Sequence, residues 1–130
     1  MKEKIKSEAT EKVNTIEMQG KAISKFNIVS HRKMTPICRA IRRLDYQQAI
    51  AYLKNISKKG SEIIEKTLKS AYSNVVRLDK NVTEEQCYVK EVVIGTGPNI
   101  KRMVPRARGR ADIRFKRTSH VSAIVARRTN

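Results

Sequence analysis

The last third of the chain concentrates positive charge in a way that suggests phosphate chemistry. Between Asn99 and Asn130 there are ten basic side chains, and the only acidic one is Asp112. Eight of the ten are arginines, whose planar guanidinium grips two phosphate oxygens at once and also stacks on bases. An isolated fold gains nothing from this crowding, because like charges repel each other unless a polyanion neutralises them. The segment therefore predicts an arm that binds nucleic acid.

A second basic block covers residues 21–60, where ten basic side chains accompany one acid, Asp45. Residues 1–20 are neutral and residues 61–98 are slightly negative, while the whole chain of 130 residues carries a net charge of +17. Such an excess is typical of proteins that bind nucleic acid or an anionic membrane surface. No apolar run approaches the roughly 20 residues of a membrane span, so we expect a nucleic-acid partner and no membrane.

Three stretches that would position these charges have the apolar spacing of helices. The first follows Ser30, a plausible N-cap, and presents Met34, Ile37, Cys38 and Ile41 on one side. Pro36 is awkward inside a helix, so a start at Thr35 with Pro36 in the first turn is the alternative. The sequence leaves this choice open.

The second helix is predicted to start at a capping box formed by Asp45 and Gln48 and to end at Lys58-Lys59-Gly60. The third has the clearest pattern, from Ile63 to about Leu78, and should be the core helix. These three helices are the expected framework of one domain, because the chain is too short for two cores.

The apolar period then changes towards two, which is typical of strands. Cys87–Ile94 and Ser119–Val125 are natural partners, and a weaker strand is expected within residues 21–29. The two partners flank the basic arm, so they predict a long hairpin over about 95–118, with Gly109 in its turn. The fold class expected is α+β, with three helices packed on a small antiparallel sheet and a long extended basic β-hairpin.

Domain organisation is expected to be simple. Residues 21–130 should form a single globular domain, and residues 1–20 an N-terminal extension that is either flexible, partly helical, or ordered on a partner. Neither a signal-peptide core nor the arginines of a transit peptide occur in that extension.

Catalytic and metal chemistry have little support. Cys38 and Cys87 are expected to be reduced and buried, because they lie far apart in a chain that shows no secretory signal. A zinc site is not expected, because the spacings C-x-x-C and H-x-x-x-H are absent. The run Gly95–Pro98 begins like a phosphate-binding glycine loop, but neither a helix-opening glycine nor a Lys-Ser/Thr pair follows it. We expect Asp112 to pair with Arg110 or Arg114, and no enzyme activity, metal or cofactor.

Two modes of nucleic-acid binding remain. The four tyrosines and two phenylalanines form no interleaved stacking platform, so RNA held by phosphate and shape contacts is favoured. The alternative is a DNA-bending, histone-like architectural protein that wedges Pro105 into the minor groove. Those proteins build their body as dimers, whereas three helices here suffice for a monomer, so we expect no homo-oligomer.

The residues also carry a family resemblance. The runs Pro98–Arg102, Pro105–Asp112 and Lys116–His120, together with His31–Met34, resemble the signature of the bacterial-type large ribosomal subunit protein 22 family. The likeness covers roughly residues 21–125. The sequence departs from the family pattern at two places. One is Pro36, and the other is Arg43–Asp45, where the family usually has a glycine between the first two helices.

The resemblance implies a structural constituent of the large ribosomal subunit that binds its rRNA, aids its assembly and lines the nascent-peptide exit tunnel. Implied partners are several rRNA segments, neighbouring ribosomal proteins and, transiently, the nascent polypeptide. The implied location is a ribosome in the bacterial cytoplasm or a bacterial-type organelle. By the same likeness, the residues expected at or near the tunnel constriction are Ile100, Lys101, Arg102, Met103, Pro105, Arg106, Arg108 and Gly109.

Charge and resemblance together give a set of RNA-binding residues. For Thr118, Ser119 and His120 the expected hydrogen bonds go either to RNA or to the protein backbone. The predicted RNA-binding residues are Lys25, His31, Arg32, Lys33, Arg39, Arg42, Arg43, Lys101, Arg102, Arg106, Arg108, Arg110, Arg114, Lys116, Arg117, Thr118, Ser119 and His120.

Overall fold

A computed structural model describes residues 18–128. The predicted extension falls mostly outside these residues, although the first strand already begins at Gln19. The elements in chain order are β1 (Gln19–Asn27), α1 (His31–Ile41), α2 (Tyr46–Asn55), α3 (Lys59–Leu78), β2 (Cys87–Thr96), β3 (Ile100–Pro105), β4 (Ala111–Lys116) and β5 (Ser119–Arg127). A short 3-10 turn lies at Glu84–Gln86, and a tight turn with left-handed residues lies at Ala107–Gly109.

The body is a three-stranded antiparallel sheet of order β1-β5-β2 with helices on one face. The central strand β5 alternates, so Val121, Ala123 and Val125 are all fully buried beneath the helices. Helix α3 packs across β1 and β5, and α1 packs against β2. The predicted α+β class, with three helices on a small antiparallel sheet, is therefore confirmed.

Helix α1 resolves the question raised by its proline. It begins after Ser30, so the alternative start at Thr35 is wrong, and Pro36 lies inside the helix on an exposed side. Proline lacks the N–H that would bond the Arg32 carbonyl, and on this side solvent can bond that carbonyl instead. The Thr35 hydroxyl donates to the His31 carbonyl at 2.8 Å.

The loop between α2 and α3 corrects a predicted boundary. Lys59 and Gly60 begin α3, whereas the sequence placed them at the end of the preceding helix. Gly60 packs closely against α1, because a Cβ at this position would lie 3.1 Å from Cγ of Met34, which is tighter than ordinary contact. The glycine thus allows close approach of two helices and does not terminate one.

The predicted capping box of α2 is also wrong. Asp45 does occupy the N-cap position, and its backbone carbonyl accepts from the Ala49 N–H at 2.9 Å. Its carboxylate makes no capping bond and instead pairs with Nη2 of Arg128 at 2.8 Å. The long-range ion pair therefore replaces the local hydrogen bond that the sequence suggested.

Candidate nucleic-acid interface

The basic arm forms a two-stranded antiparallel ribbon, β3–β4, outside the three-stranded sheet. Its register is continuous from the pair Ile100–Lys116 to the pair Pro105–Ala111. Every residue of the two strands is exposed except Val104, which is partly buried. Such a ribbon is marginal in water by itself, so this geometry favours an arm that a partner orders.

The register gives the ribbon two different faces, because directly opposed residues in an antiparallel pair share a face and successive residues alternate. One face, here called the charged face, carries Ile100, Arg102, Val104, Asp112, Arg114 and Lys116. The other, here called the apolar face, carries Lys101, Met103, Pro105, Ala111, Ile113 and Phe115. This division into a charged face and an apolar face suits an arm whose two faces contact different kinds of surface.

The tip turns through two residues in the left-handed region, Arg108 at φ 58° and Gly109 at φ 70°. Gly109 fits the turn as predicted, since glycine adopts this conformation without strain. The Arg106 N–H donates to the Arg110 carbonyl at 2.8 Å and closes the turn. The guanidinium of Arg108 is thereby held exposed at the far end of the ribbon.

Asp112 has a different partner from those expected. It pairs with Nε of Arg106 at 2.7 Å, and neither Arg110 nor Arg114 is its partner. Because Arg106 stands opposite Arg110, Asp112 is its diagonal neighbour across the ribbon, and long side chains reach that far. Both partners are more than half exposed, so the pair orients Arg106 more than it stabilises the fold.

The residues at the base of the ribbon bond within the protein. Thr118 and Ser119 are buried. The Thr118 hydroxyl donates to the Pro98 carbonyl at 2.6 Å, and the Ser119 hydroxyl bonds Sδ of Met34 at 3.3 Å. His120 accepts the Phe26 N–H through Nδ1 at 3.0 Å. Thr118 and His120 thus form hydrogen bonds with the protein backbone, which was one of the two expected alternatives. The side chains of Thr118 and Ser119 are buried and do not face the solvent, where RNA would lie.

The second basic block gives α1 an exposed cationic side. Arg32, Lys33 and Arg39 are exposed along the helix, and His31, at its start, is partly buried. A groove of about 580 Å³ runs past them, lined by His31, Arg32, Thr35, Pro36 and Arg39. The opposite, buried side holds the four apolar residues that the sequence placed there.

Arg42 and Arg43 follow α1 and are held by the sheet. The Arg42 guanidinium pairs with Glu91 of β2 at 3.0 Å, and the Arg43 N–H donates to the Val89 carbonyl at 2.9 Å. Arg43 adopts φ 68°, the conformation that glycine favours just after a helix. An arginine therefore adopts the left-handed backbone conformation in the segment where the resemblance led us to expect a glycine.

Two features of the interface were missed by the sequence reasoning. Ile113 and Phe115 belong to the apolar face, and their exposed fractions are 61% and 54%; the alternation of residues 111–116 could have shown this. Phe26 is 62% exposed beside His120. The periodicity of β1 is too weak to have predicted that Phe26 is exposed.

The remainder of the described chain offers no competing chemistry. Within residues 18–128, no group of three or more His, Cys, Asp or Glu side chains could hold a metal ion. Cys38 and Cys87 are buried and unbridged, as expected, and burial raises the pKa of the Cys38 thiol to about 12. Over the same residues, no helix is long and apolar enough to cross a membrane.

Fold and charge together define a class, namely a small α+β protein that presents a cationic β-ribbon and a cationic helix to a polyanion. Comparison with known proteins narrows the class, because the family model for ribosomal protein L22p/L17e matches residues 22–126. The chain belongs to this family.

Several bacterial relatives support the match. The large ribosomal subunit protein uL22 of Treponema denticola is 39% identical over 108 residues, which are 83% of this chain and 92% of that protein. The protein of the same name from Thermus thermophilus is also 39% identical over 108 residues, covering 83% and 95%. That of Deinococcus radiodurans is 40% identical over 111 residues, covering 85% and 82%.

Membership of a family of structural ribosomal proteins has two consequences. The chain is not an enzyme, and its place is the ribosome. The DNA-bending alternative rested on a small helical body with basic β-arms and on Pro105 as a wedge, and the family match argues against it. Pro105 itself is exposed at the end of β3, next to the turn, and is paired with Ala111.

Proposed function

We propose that this structural constituent of the large ribosomal subunit binds several rRNA segments with its ribbon and with α1. We further propose that it aids assembly of the subunit, contacts neighbouring ribosomal proteins, and lines the exit tunnel with its tip, where the nascent polypeptide passes. The exposed two-faced ribbon is the observation that carries the proposal.

The charged face supplies the electrostatic part of the argument. Arg102, Arg114 and Lys116 lie on it together, and Arg106 adds a guanidinium beyond the last strand pair. Backbone phosphates are the commonest neutralisers of such a row, and binding there releases the counterions that the phosphates had condensed. RNA phosphates are thus the natural neighbours of this face.

The apolar face supplies the second part. Met103 is 76% exposed and Ile113 61% exposed, although a soluble protein rarely leaves adjacent large apolar groups in water without a partner. A partner that covers the ribbon removes this surface from water and fixes the arm. An arm embedded in a ribonucleoprotein meets both requirements.

Helix α1 supplies a separate contact. Its exposed arginines belong to the folded body, whereas the ribbon lies in a sheet of its own. One protein with two such surfaces can bridge RNA segments that are distant in sequence. This bridging is how we propose that it aids assembly.

Sedimentation of the tagged chain through a sucrose gradient, with ribosomes washed in high salt, tests the proposal. We expect the protein to remain with the large subunit. A variant with Arg102, Arg114 and Lys116 changed to glutamine should be depleted from it. A control with Lys54, Lys58 and Lys59 changed to glutamine loses the same charge outside the predicted RNA-binding residues and should be retained.

The opposite distribution would contradict the proposal. A tagged protein that leaves the large subunit and follows chromosomal DNA would restore the architectural alternative. The tunnel part has its own test, in which a photo-crosslinker at Arg108 should capture nascent chains on translating ribosomes. Absence of such crosslinks, with the protein still bound to the subunit, would refute the tunnel position alone.

A further inference from the structure

Phe26 holds an unusual position at the end of β1. The register between β1 and β5 shifts between Ser24 and Asn27, and these two residues bond each other across the shift at 3.0 and 3.1 Å. Phe26 lies inside this bulge at φ 57°, a left-handed conformation that bulky residues rarely adopt. The bulge pushes its ring outward, so that 62% of the residue is exposed.

The exposed ring is held in place by a histidine of β5. The Phe26 N–H donates to Nδ1 of His120 at 3.0 Å, and the two rings meet edge to face with centroids 4.9 Å apart. Since Nδ1 accepts this bond, the neutral imidazole carries its proton on Nε2. A Cβ at Gly97 would lie 3.2 Å from Nε2, so His120 is itself packed against the base of the hairpin.

The fold alone does not explain a phenylalanine here. Glycine would adopt φ 57° without strain, and the ring of Phe26 is not among the buried side chains of the core. A strained residue that is kept in place by its surroundings points to a use outside folding. The ring is presented to a partner in a fixed orientation.

The neighbours of Phe26 indicate the kind of partner. Lys25 precedes it, and Arg117 lies three residues before His120, in the short link between β4 and β5; both are exposed. An exposed aromatic ring with exposed cations close to it along the chain matches a nucleotide, whose base stacks and whose phosphates pair with cations. An apolar protein surface would instead have to desolvate the Lys25 and Arg117 charges.

We infer that Phe26 is a stacking site for one unpaired nucleobase of large-subunit rRNA, with Lys25 and Arg117 on the adjacent phosphates. This inference rests on the proposed function. The sequence argued against a platform of several rings, whereas a single fixed ring is sufficient for one base.

The chain contains no tryptophan, so Phe26→Trp introduces a single fluorophore at the site. On binding of the full chain to large-subunit rRNA at low salt, its emission should be strongly quenched by the stacked base. Leu78→Trp is the matched control, since Leu78 is 64% exposed at the end of α3, and its emission should change little.

Affinity measurements separate ring stacking from simple apolar contact. Phe26→Gly and Phe26→Leu should each weaken rRNA binding by about five- to 150-fold, the range expected for loss of one stacked base, and Phe26→Tyr should bind like the wild type. Phe26→Gly should melt at or above the wild-type temperature, because it relieves the left-handed strain. If it proves unstable, the comparison of Phe26→Leu with Phe26→Tyr still decides the question.

Four outcomes would overturn the inference. Wild-type affinity in Phe26→Leu, or unchanged Phe26→Trp emission in a complex that still forms, refutes stacking and leaves the proposed function intact. Emission that responds to ribosomal proteins and not to rRNA identifies a protein partner instead. Failure of the wild type to bind rRNA at all removes the proposed function together with the inference.

Discussion

Gly20 lies where β1 passes under α3, opposite Val125 of β5. A Cβ at this position would overlap the backbone carbonyl oxygen of Ala71 and lie 2.7 Å from Cγ2 of Val75. Backbone atoms of a long packed helix cannot move aside cheaply, since interiors are close-packed. The residue thus sets how closely the sheet and its main helix approach.

We expect Gly20→Ala to lower the free energy of unfolding by about 1–3 kcal/mol, the usual cost of overpacking. Gly95→Ala is the control, because the nearest atom to a Cβ there is Cβ of His120 at 3.8 Å; its effect should stay within about 0.5 kcal/mol. Urea denaturation of both variants measures the difference. Equal stabilities would show that the helix moves aside.

Cys38 gives the fold a dependence on alkaline pH. Burial raises the pKa of its thiol from 9.0 to about 12. Well below pH 9 the thiol is neutral in both the folded and the unfolded chain, so the difference in its pKa does not affect the free energy of unfolding. Above that, the unfolded chain ionises first, and the free energy of unfolding falls as the pH rises towards 12.

We therefore expect the wild type to lose stability faster than Cys38→Ala as the pH rises above about 9, by at most about 1.4 kcal/mol per pH unit. Comparison of the two slopes under reducing conditions removes the effects of the other titrating groups, including Tyr46, whose pKa is also raised by burial. Parallel stability curves would show that Cys38 ionises as easily in the folded protein as in the unfolded one.

At the scale of elements, apolar periodicity predicted what each helix and strand buries. Ile64, Leu68, Ala71 and Val75 of α3 are all fully buried, because a 3.6-residue period leaves only one side of a helix against the sheet. The alternation of β5 was equally readable. Periodicity is a local property of the sequence. It predicted the buried residues correctly wherever local structure and tertiary packing agree.

Tertiary contacts decided what the sequence missed. Gly60 was read as a helix end, but it is a packing glycine against Met34; Asp45 was read as a cap, but it pairs with Arg128. Thr118 and Ser119 have residue types that suit RNA, yet they are buried. In each case the partner is distant in sequence, and no local pattern could reveal it.

The ribbon should be separable from the body that carries it. Deletion of Ile100–Arg102 removes residues that are all exposed and absent from the core, so we expect unfolding to remain cooperative with a midpoint near that of the wild type. Deletion of Val121–Ala123 removes buried residues of the central strand and should abolish folding. Loss of the cooperative transition in the first variant would mean that the ribbon supports the body.

At the scale of the whole molecule, the net charge of +17 should make RNA binding depend steeply on salt. Neutralising about ten phosphates predicts a slope of about −7 in a plot of log affinity against log salt concentration on single-stranded RNA. The variant with Arg102, Arg114 and Lys116 changed to glutamine should be shallower by about 2. A slope near zero for the wild type would exclude electrostatic binding.

The alternation of the ribbon ties its length to the direction in which its tip faces. Removing one residue from each strand would place every side chain beyond that point on the opposite face, because successive residues of a strand point to opposite faces. Removing Arg102 and Met103 together with their partners Ile113 and Arg114 would instead shorten the ribbon by about 7 Å and keep its facing. If an odd number of residues were removed from one strand only, a β-bulge would have to accommodate the unpaired residue on the other strand. The reach of this arm can therefore change only in even steps if its tip is to keep its orientation.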